Sequence, residues 1–408
     1  MRPPARLTRV LPLACIAAAL ASAGCATAPP RGRAVPERLQ AVANVIGFPA
    51  GIRYFPRDAG HVVEFESDFL ESIARERASL HIPNDRPLPP NSFLAISGGG
   101  DDGAFGAGFL NGWTKTGRRP EFKLVTGVST GALIAPFAFL GSAYDERLKS
   151  LYTSVSLKDI ARKRSLLSVV YGDAMADTTP LRHLVEKYVT REMVDAIAAE
   201  HEKGRILLVA TTNLDVRRPV IWNITEIAAT HAEGKLDLIR KILIASAAIP
   251  GTFPPVMIDV EAGGQKYQEM HVDGGTAAQV FVYPAAIQLQ ALAERDRTLY
   301  VIRNARLDPE WAETDRRTLP IALRAITCLI QNQGLGDLYR IFAITRRDNV
   351  DFNLVYIPSS FQVQHTTDFD TTYMKALFET GRTLAEESQA WEKHPPVLVS
   401  DVDQARAR

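Results

Sequence analysis

Cysteine is scarce in this chain of 408 residues, which carries only Cys15, Cys25 and Cys328. Three scattered cysteines have no metal-ligand spacing, and without Cys25 no internal disulfide is expected in the folded domain. An excess of either charge is also missing, with 47 lysines and arginines against 46 acids. Loss of residues 1–24 would remove three arginines and no acid, leaving a formal charge of −2. Nucleic acid is therefore not an expected partner. The apolar run Val10–Ala23 has 14 residues, short of the roughly 20 needed to cross a bilayer. No internal repeat or low-complexity block interrupts the rest.

What is present begins with a leader pattern. Arg2, Arg6 and Arg9 precede that apolar run without any acid, and Ser22-Ala23-Gly24-Cys25 follows it. This reads as a secretory signal over residues 1–24 whose small residues resemble a bacterial lipoprotein cleavage site, with Cys25 as the lipidated first residue. Alanine at position 26 resembles the outer-membrane sorting pattern. The expected location is a lipid-anchored protein of a Gram-negative outer membrane, with a soluble periplasmic protein as the alternative. Residues 25–36, containing three prolines and no large apolar side chain, form the expected tether. Residues 37–408 are expected to be a single domain with a helical C-terminal portion, and such a length suffices for one large core.

The stretch that organises this domain is Thr126-Gly-Val-Ser-Thr-Gly-Ala132, directly after the apolar run Phe122–Val125. In a Gly-x-Ser-x-Gly turn the flanking glycines let a strand reverse into a helix without a Cβ clash. Ser129 is the candidate nucleophile. Some thirty residues earlier, Phe93–Ile96 runs into Ser97-Gly98-Gly99-Gly100-Asp101-Asp102-Gly103. Six glycines between Gly98 and Gly108 leave amides without side-chain cover, as an oxyanion requires. Far downstream, His271-Val-Asp273-Gly-Gly275 ends a short apolar segment in a carboxylate, a candidate base.

In this order, loop, elbow and Asp-Gly-Gly resemble the patatin-like phospholipase family, as does Ala245-Ser-Ala-Ala-Ile-Pro-Gly-Thr-Phe-Pro-Pro255 ahead of the aspartate. The resemblance covers Phe93 to Gly275. It implies a three-layer α/β/α fold around a central, mainly parallel sheet, and a serine acyl hydrolase of lipid carboxylic esters. Ser129 would be the nucleophile, Asp273 its partner in a dyad, and Gly98, Gly99 and Gly100 the oxyanion loop, with no metal or organic cofactor. One position departs from the family pattern: Asp102 stands where a basic residue is usual.

Three rivals remain open from the residues alone. An α/β-hydrolase would add a histidine, either His365 or His271. A dinucleotide-binding module would use Gly98-x-Gly100-x-x-Gly103 with Glu121. A catalytically inactive lipoprotein would only bind lipids.

Alternation of strand-like and helix-like segments supports the α/β reading. Helices are expected over Asp68–Ala78, Gly106–Lys115, Ala132–Leu140, Tyr144–Val155, Lys235–Ala247 and Thr371–Glu392, with another starting at Thr179-Pro180. Strands are expected at Arg205–Thr211, Pro219–Ile224, Met257–Val260, Tyr267–Val272, Thr298–Arg303 and Asn353–Ile357. The apolar residues of Val45–Phe55 are expected to pack on the core.

Overall fold

The computed structural model describes residues 31–164, 172–309, 311, 313–387 and 390–396. The expected signal and Cys25 lie outside them. In chain order the elements that place the site are β1 (Asn44–Val45), β2 (Arg53–Tyr54), α1 (Ala59–Ser79), β3 (Asn91–Ile96), α2 (Gly103–Lys115), β4 (Phe122–Val128) and α3 (Thr130–Leu140). They continue with β5 (Ile206–Asn213), β6 (Arg218–Asn223), α4 (Lys235–Ser246), β7 (Val256–Ala262), β8 (Gln265–Asp273), β9 (Arg297–Arg303), α5 (Thr318–Arg347), β10 (Val350–Tyr356) and α6 (Thr371–Glu386).

These strands form one sheet in the order β1-β7-β8-β5-β4-β3-β9-β10, with β6 paired to β5 and β2 to β6. The five strands from β5 to β10 in that order run parallel, and the β7–β8 hairpin with β6, β2 and β1 builds an antiparallel flank. β4 is buried at all seven positions, as a strand covered on both faces must be. One face carries Ile96, Val125 and Val209 beneath α2, α3, α4 and α6. The other carries Phe93, Leu124 and Leu208 beneath α1 and α5. The result is the three-layer α/β/α architecture.

α6 crosses α2 where side chains are absent. A Cβ on Gly108 would stand 1.9 Å from the Phe378 carbonyl oxygen, and one on Gly381 would stand 2.2 Å from that of Phe105. Phe361, Tyr373 and Phe378 then join the same core as α3. The C-terminal third also supplies β10 to the sheet.

Several boundaries move. α1 starts nine residues before the expected Asp68, because Asp58 caps it by accepting from the Gly60 and His61 amides. α6 ends at Glu386 instead of Glu392. Glu392 exchanges backbone hydrogen bonds with Leu354 on the open edge of β10, and Trp391 packs between Phe109, Trp113 and Tyr300. Val45, Ile52, Tyr54 and Phe55 are buried in β1, β2 and their connection.

Candidate active site

β4 ends at Val128 and α3 begins at Thr130, so the whole reversal falls on Ser129, which takes φ +55° and ψ −126°. A non-glycine residue there is strained by about 1–3 kcal/mol. Its neighbours must be small: a Cβ on Gly131 would lie 2.3 Å from the Ile96 carbonyl oxygen, and one on Gly127 2.4 Å from that of Gly131. The strained amide is held from below. Ser129 N–H donates to Ser246 Oγ at 3.0 Å, and that hydroxyl donates to the Ala210 carbonyl at 2.7 Å.

Asp273 reaches the elbow through strand register. β4 pairs with β5 as far as Val128 opposite Ala210, and the last residue of β8, Asp273, then pairs with Thr211 on the same strand. The aspartate thus stands across β5 from β4, level with the point where β4 turns. Asp273 N–H donates to the Ala248 carbonyl at 2.9 Å, so the end of α4 holds both backbones, one through Ser246 and one through Ala248. Ser129 Oγ donates to Asp273 Oδ2 at 2.6 Å, and Gly275 N–H donates to Oδ1 at 2.7 Å. Asp273 is 5 % exposed. Burial pushes its carboxyl up to about 7, against the hydrogen bonds from Ser129 and Gly275, which lower it.

The glycine loop lies against this pair. A Cβ on Gly98 would be 3.1 Å from Ser129 Cβ, and one on Gly99 would fall 2.0 Å from the Asn304 carbonyl oxygen. Gly98 N–H donates to the Gln279 carbonyl at 3.0 Å. That bond narrows the expected oxyanion donors from three amides to Gly99 and Gly100, neither of which meets a backbone acceptor among the described residues. Asn304 clamps the loop from behind. Its N–H donates to Ser97 Oγ at 2.8 Å, its Nδ2 to the Ser97 carbonyl at 2.9 Å, and its Oδ1 accepts from Gly106 N–H at 3.0 Å.

The two aspartates of the loop face the C-terminal segment. Asp101 Oδ2 accepts from His365 Nε2 and from Phe369 N–H, both at 2.7 Å. Asp102 Oδ1 accepts from Tyr373 Oη at 2.6 Å. Behind them, burial lowers the Arg303 guanidinium to about 10, opposed by the charges of Asp337 and Asp102.

The histidines stand elsewhere. His271 Nδ1 pairs with Thr211 Oγ1 at 2.9 Å and Nε2 with Glu269 Oε2 at 3.0 Å, so both ring nitrogens are engaged away from Ser129. His365 is held by Asp101. Glu121 is exposed at the start of β4, at the opposite end of the sheet from the glycine loop, and cannot serve a nucleotide bound there.

Residues 94–286 match the family model for patatin-like phospholipase. That segment is a patatin-like phospholipase domain. Among solved structures, VipD from Legionella pneumophila is 11 % identical with a TM-score of 0.35, covering 72 % of this chain and 66 % of its own. The type III effector ExoU is 13 % identical at a TM-score of 0.34, covering 74 % and 52 %. Human GIVD cytosolic phospholipase A2 is 9 % identical at 0.37, covering 86 % and 66 %. The chain therefore spans less than two thirds of each of these relatives. No curated protein matches the sequence. Ser246, Asn304 and Gln279 are the residues of this patatin-like site with no role in the sequence reading; only Ser246 carried a signal, its place ahead of the aspartate.

Proposed function

We propose that the protein is a serine hydrolase of lipid carboxylic esters that works through a Ser129–Asp273 dyad. The observation that carries this is Ser129 Oγ lying 2.6 Å from a buried carboxyl held at about 7. An ordinary aspartate near 4 is a weak base for a hydroxyl, whereas one near 7 is poised to take a proton at neutral pH. The patatin-like domain at 94–286 supports lipid as the substrate class.

In the first half-reaction Ser129 Oγ attacks the ester carbonyl carbon and its proton passes to Asp273 Oδ2. The oxyanion accepts from the Gly99 and Gly100 amides. Collapse breaks the bond to the alcohol oxygen, which leaves with the proton from Asp273, and the acyl group remains on Ser129. Water then attacks that ester as Asp273 takes its proton. The second collapse releases the fatty acid and returns the proton to Ser129 Oγ. Asp102 supplies no cation to the loop, so the amides carry the oxyanion there.

The same reading places the protein on the membrane through acylated Cys25. A Cys25→Ala variant is expected to leave the membrane fraction of cells expressing the full chain.

The test of the dyad is hydrolysis of a short acyl ester by the full chain, comparing wild type with Ser129→Ala, Asp273→Ala, His271→Ala and His365→Ala at equal folded concentration. Loss confined to the first two is expected. Comparable loss in a histidine variant would move the reading to a triad, and an inert wild type would leave a lipid-binding lipoprotein.

A further inference from the structure

α5 is too long for the sheet it covers. Its 30 residues extend about 45 Å, whereas the seven-residue β10 that follows extends about 23 Å. The chain enters β10 from the C-terminal end of α5, and β10 runs parallel to β9, β3 and β4. The excess at the N-terminal end of α5 therefore projects beyond the C-terminal ends of the parallel strands. That is the end where Ser129 and the glycine loop lie. The level is marked by Asp337, whose Oδ2 accepts from the N–H of Gln279, the residue whose carbonyl holds Gly98.

Below that mark Leu338 and Ile341 are buried in the core, while no described side chain of α5 before Gly334 is buried. The projecting half is nonetheless apolar. Leu329 is 70 % exposed, Ile321 and Ile326 each 50 %, and Trp311, just before the helix, 88 %. Ile326, Leu329 and Ile330 share a face by their spacing of three and four. The polar residues Arg324, Thr327 and Gln331 fall on another stripe, and Gln331 Nε2 donates to the Asp308 carbonyl at 3.2 Å. Between residues 316 and 336 there are three arginines, Arg316, Arg317 and Arg324, and no carboxylate. An isolated exposed leucine needs no explanation, but a projecting apolar face does.

We propose that residues 316–333 are an interfacial membrane-binding arm that buries Ile326, Leu329 and Ile330 in an anionic lipid surface beside the mouth of the Ser129 site. An exposed apolar face with arginines at its edge and no acid is the composition of a helix that lies in the headgroup region. No described helix is long and apolar enough to cross a membrane, so the arm lies on the bilayer and does not span it. Three arginines without an acid between residues 316 and 336 complement an anionic surface, which points to phosphatidylglycerol-type lipid as the occupant. This inference deepens the hydrolase reading, since it brings the lipid ester to the dyad.

The test uses the full chain with Cys15→Ser and Cys25→Ala, which removes the proposed anchor, together with Cys328→Ser, which removes the thiol on the polar stripe, and Ile330→Cys, which leaves a sole thiol on the apolar face. Ser129→Ala is added to stop turnover. A nitrobenzoxadiazole label at position 330 is followed as vesicles of phosphatidylethanolamine and phosphatidylglycerol are added. The expected result is a blue-shifted, brighter emission that weakens with salt, and a half-saturating lipid concentration raised at least about tenfold by Ile326→Asp with Leu329→Asp. An unchanged emission while the protein co-sediments with vesicles overturns the proposal, as does a blue shift without vesicles that grows with protein concentration, the signature of self-association. With serine restored, the double variant should keep wild-type hydrolysis of a soluble short ester and lose hydrolysis of vesicle phospholipid. An inert soluble-ester assay with an intact vesicle-dependent blue shift would reject the hydrolase reading and leave the arm standing.

Discussion

Glu269 and Asp273 sit four residues apart on β8, on the same face of the strand, and both are buried. Burial alone would raise both carboxyls. At Glu269 it is outweighed by the Arg53 guanidinium, whose Nη1 lies 2.5 Å from Oε2, and by the hydrogen bond with His271, and the group is held down at about 2. At Asp273 no cation answers, only the Ser129 hydroxyl and one backbone amide, and the group rises to about 7. The same strand therefore carries one carboxylate that is spent on holding the antiparallel flank together and one left able to accept a proton. The partner, and not the depth of burial, decides which carboxyl is held ionised and which is left able to take a proton near neutral pH.

The comparison breaks most sharply at its reactive end. Ser129→Ala and Asp273→Asn should each cost more than about 10³-fold in kcat/KM on a short acyl ester. Asp273→Asn should also melt higher than wild type at pH 8 and not at pH 3. With its folded value raised to about 7 from the usual 3.8, the aspartate contributes stability that is present below about 4 and lost as pH rises through 7. Asparagine has nothing to ionise.

At the structural end the signs reverse. Glu269→Gln leaves the Arg53 charge buried without its counter-ion and should cost about 3–5 kcal/mol in chemical denaturation, with little change in kcat/KM per folded molecule. In the wild type, the contribution of Glu269 is present above its usual value of 4.5 and is lost as pH falls toward 2. A smaller effect is expected from Ser246→Ala, which removes the hydroxyl joining Ser129 N–H to Ala210. About a tenfold fall in kcat with KM nearly unchanged would mark a positioning residue. Tyr373→Phe, which withdraws one hydrogen bond from Asp102, should lower kcat only a few-fold, about 1 kcal/mol.

How far this site could be read from sequence follows from how local each constraint is. The elbow, the glycine loop and the Asp-Gly-Gly turn are written in adjacent residues whose small size the backbone demands, as the 2.0–2.4 Å approaches at Gly99, Gly127 and Gly131 show. The groups that hold them are distant in sequence and ordinary in type. Ser246 is one serine among many, Asn304 lies 207 residues from Ser97, and nothing at position 279 announces that its carbonyl will occupy the Gly98 amide. For the fold, the apolar runs place β3 and β4 well. They fail at α1, where the Asp58 cap carries the helix back through Gly60 and two valines, and at Glu392, whose backbone is drawn out of helix by an open strand edge. The long exposed half of α5 reads in sequence as an ordinary apolar helix, because periodicity records a face and not what covers it.

The central claim, that a desolvated aspartate without a histidine activates Ser129, is tested most directly by the pH dependence of kcat/KM on a short acyl ester. It should be measured for wild type, His271→Gln and His365→Gln. Rate rising with pH through a single midpoint near 7 in all three proteins is the expected result, since the basic form of Asp273 is the active one. A midpoint near 4, or one that moves or vanishes with either histidine, would contradict it.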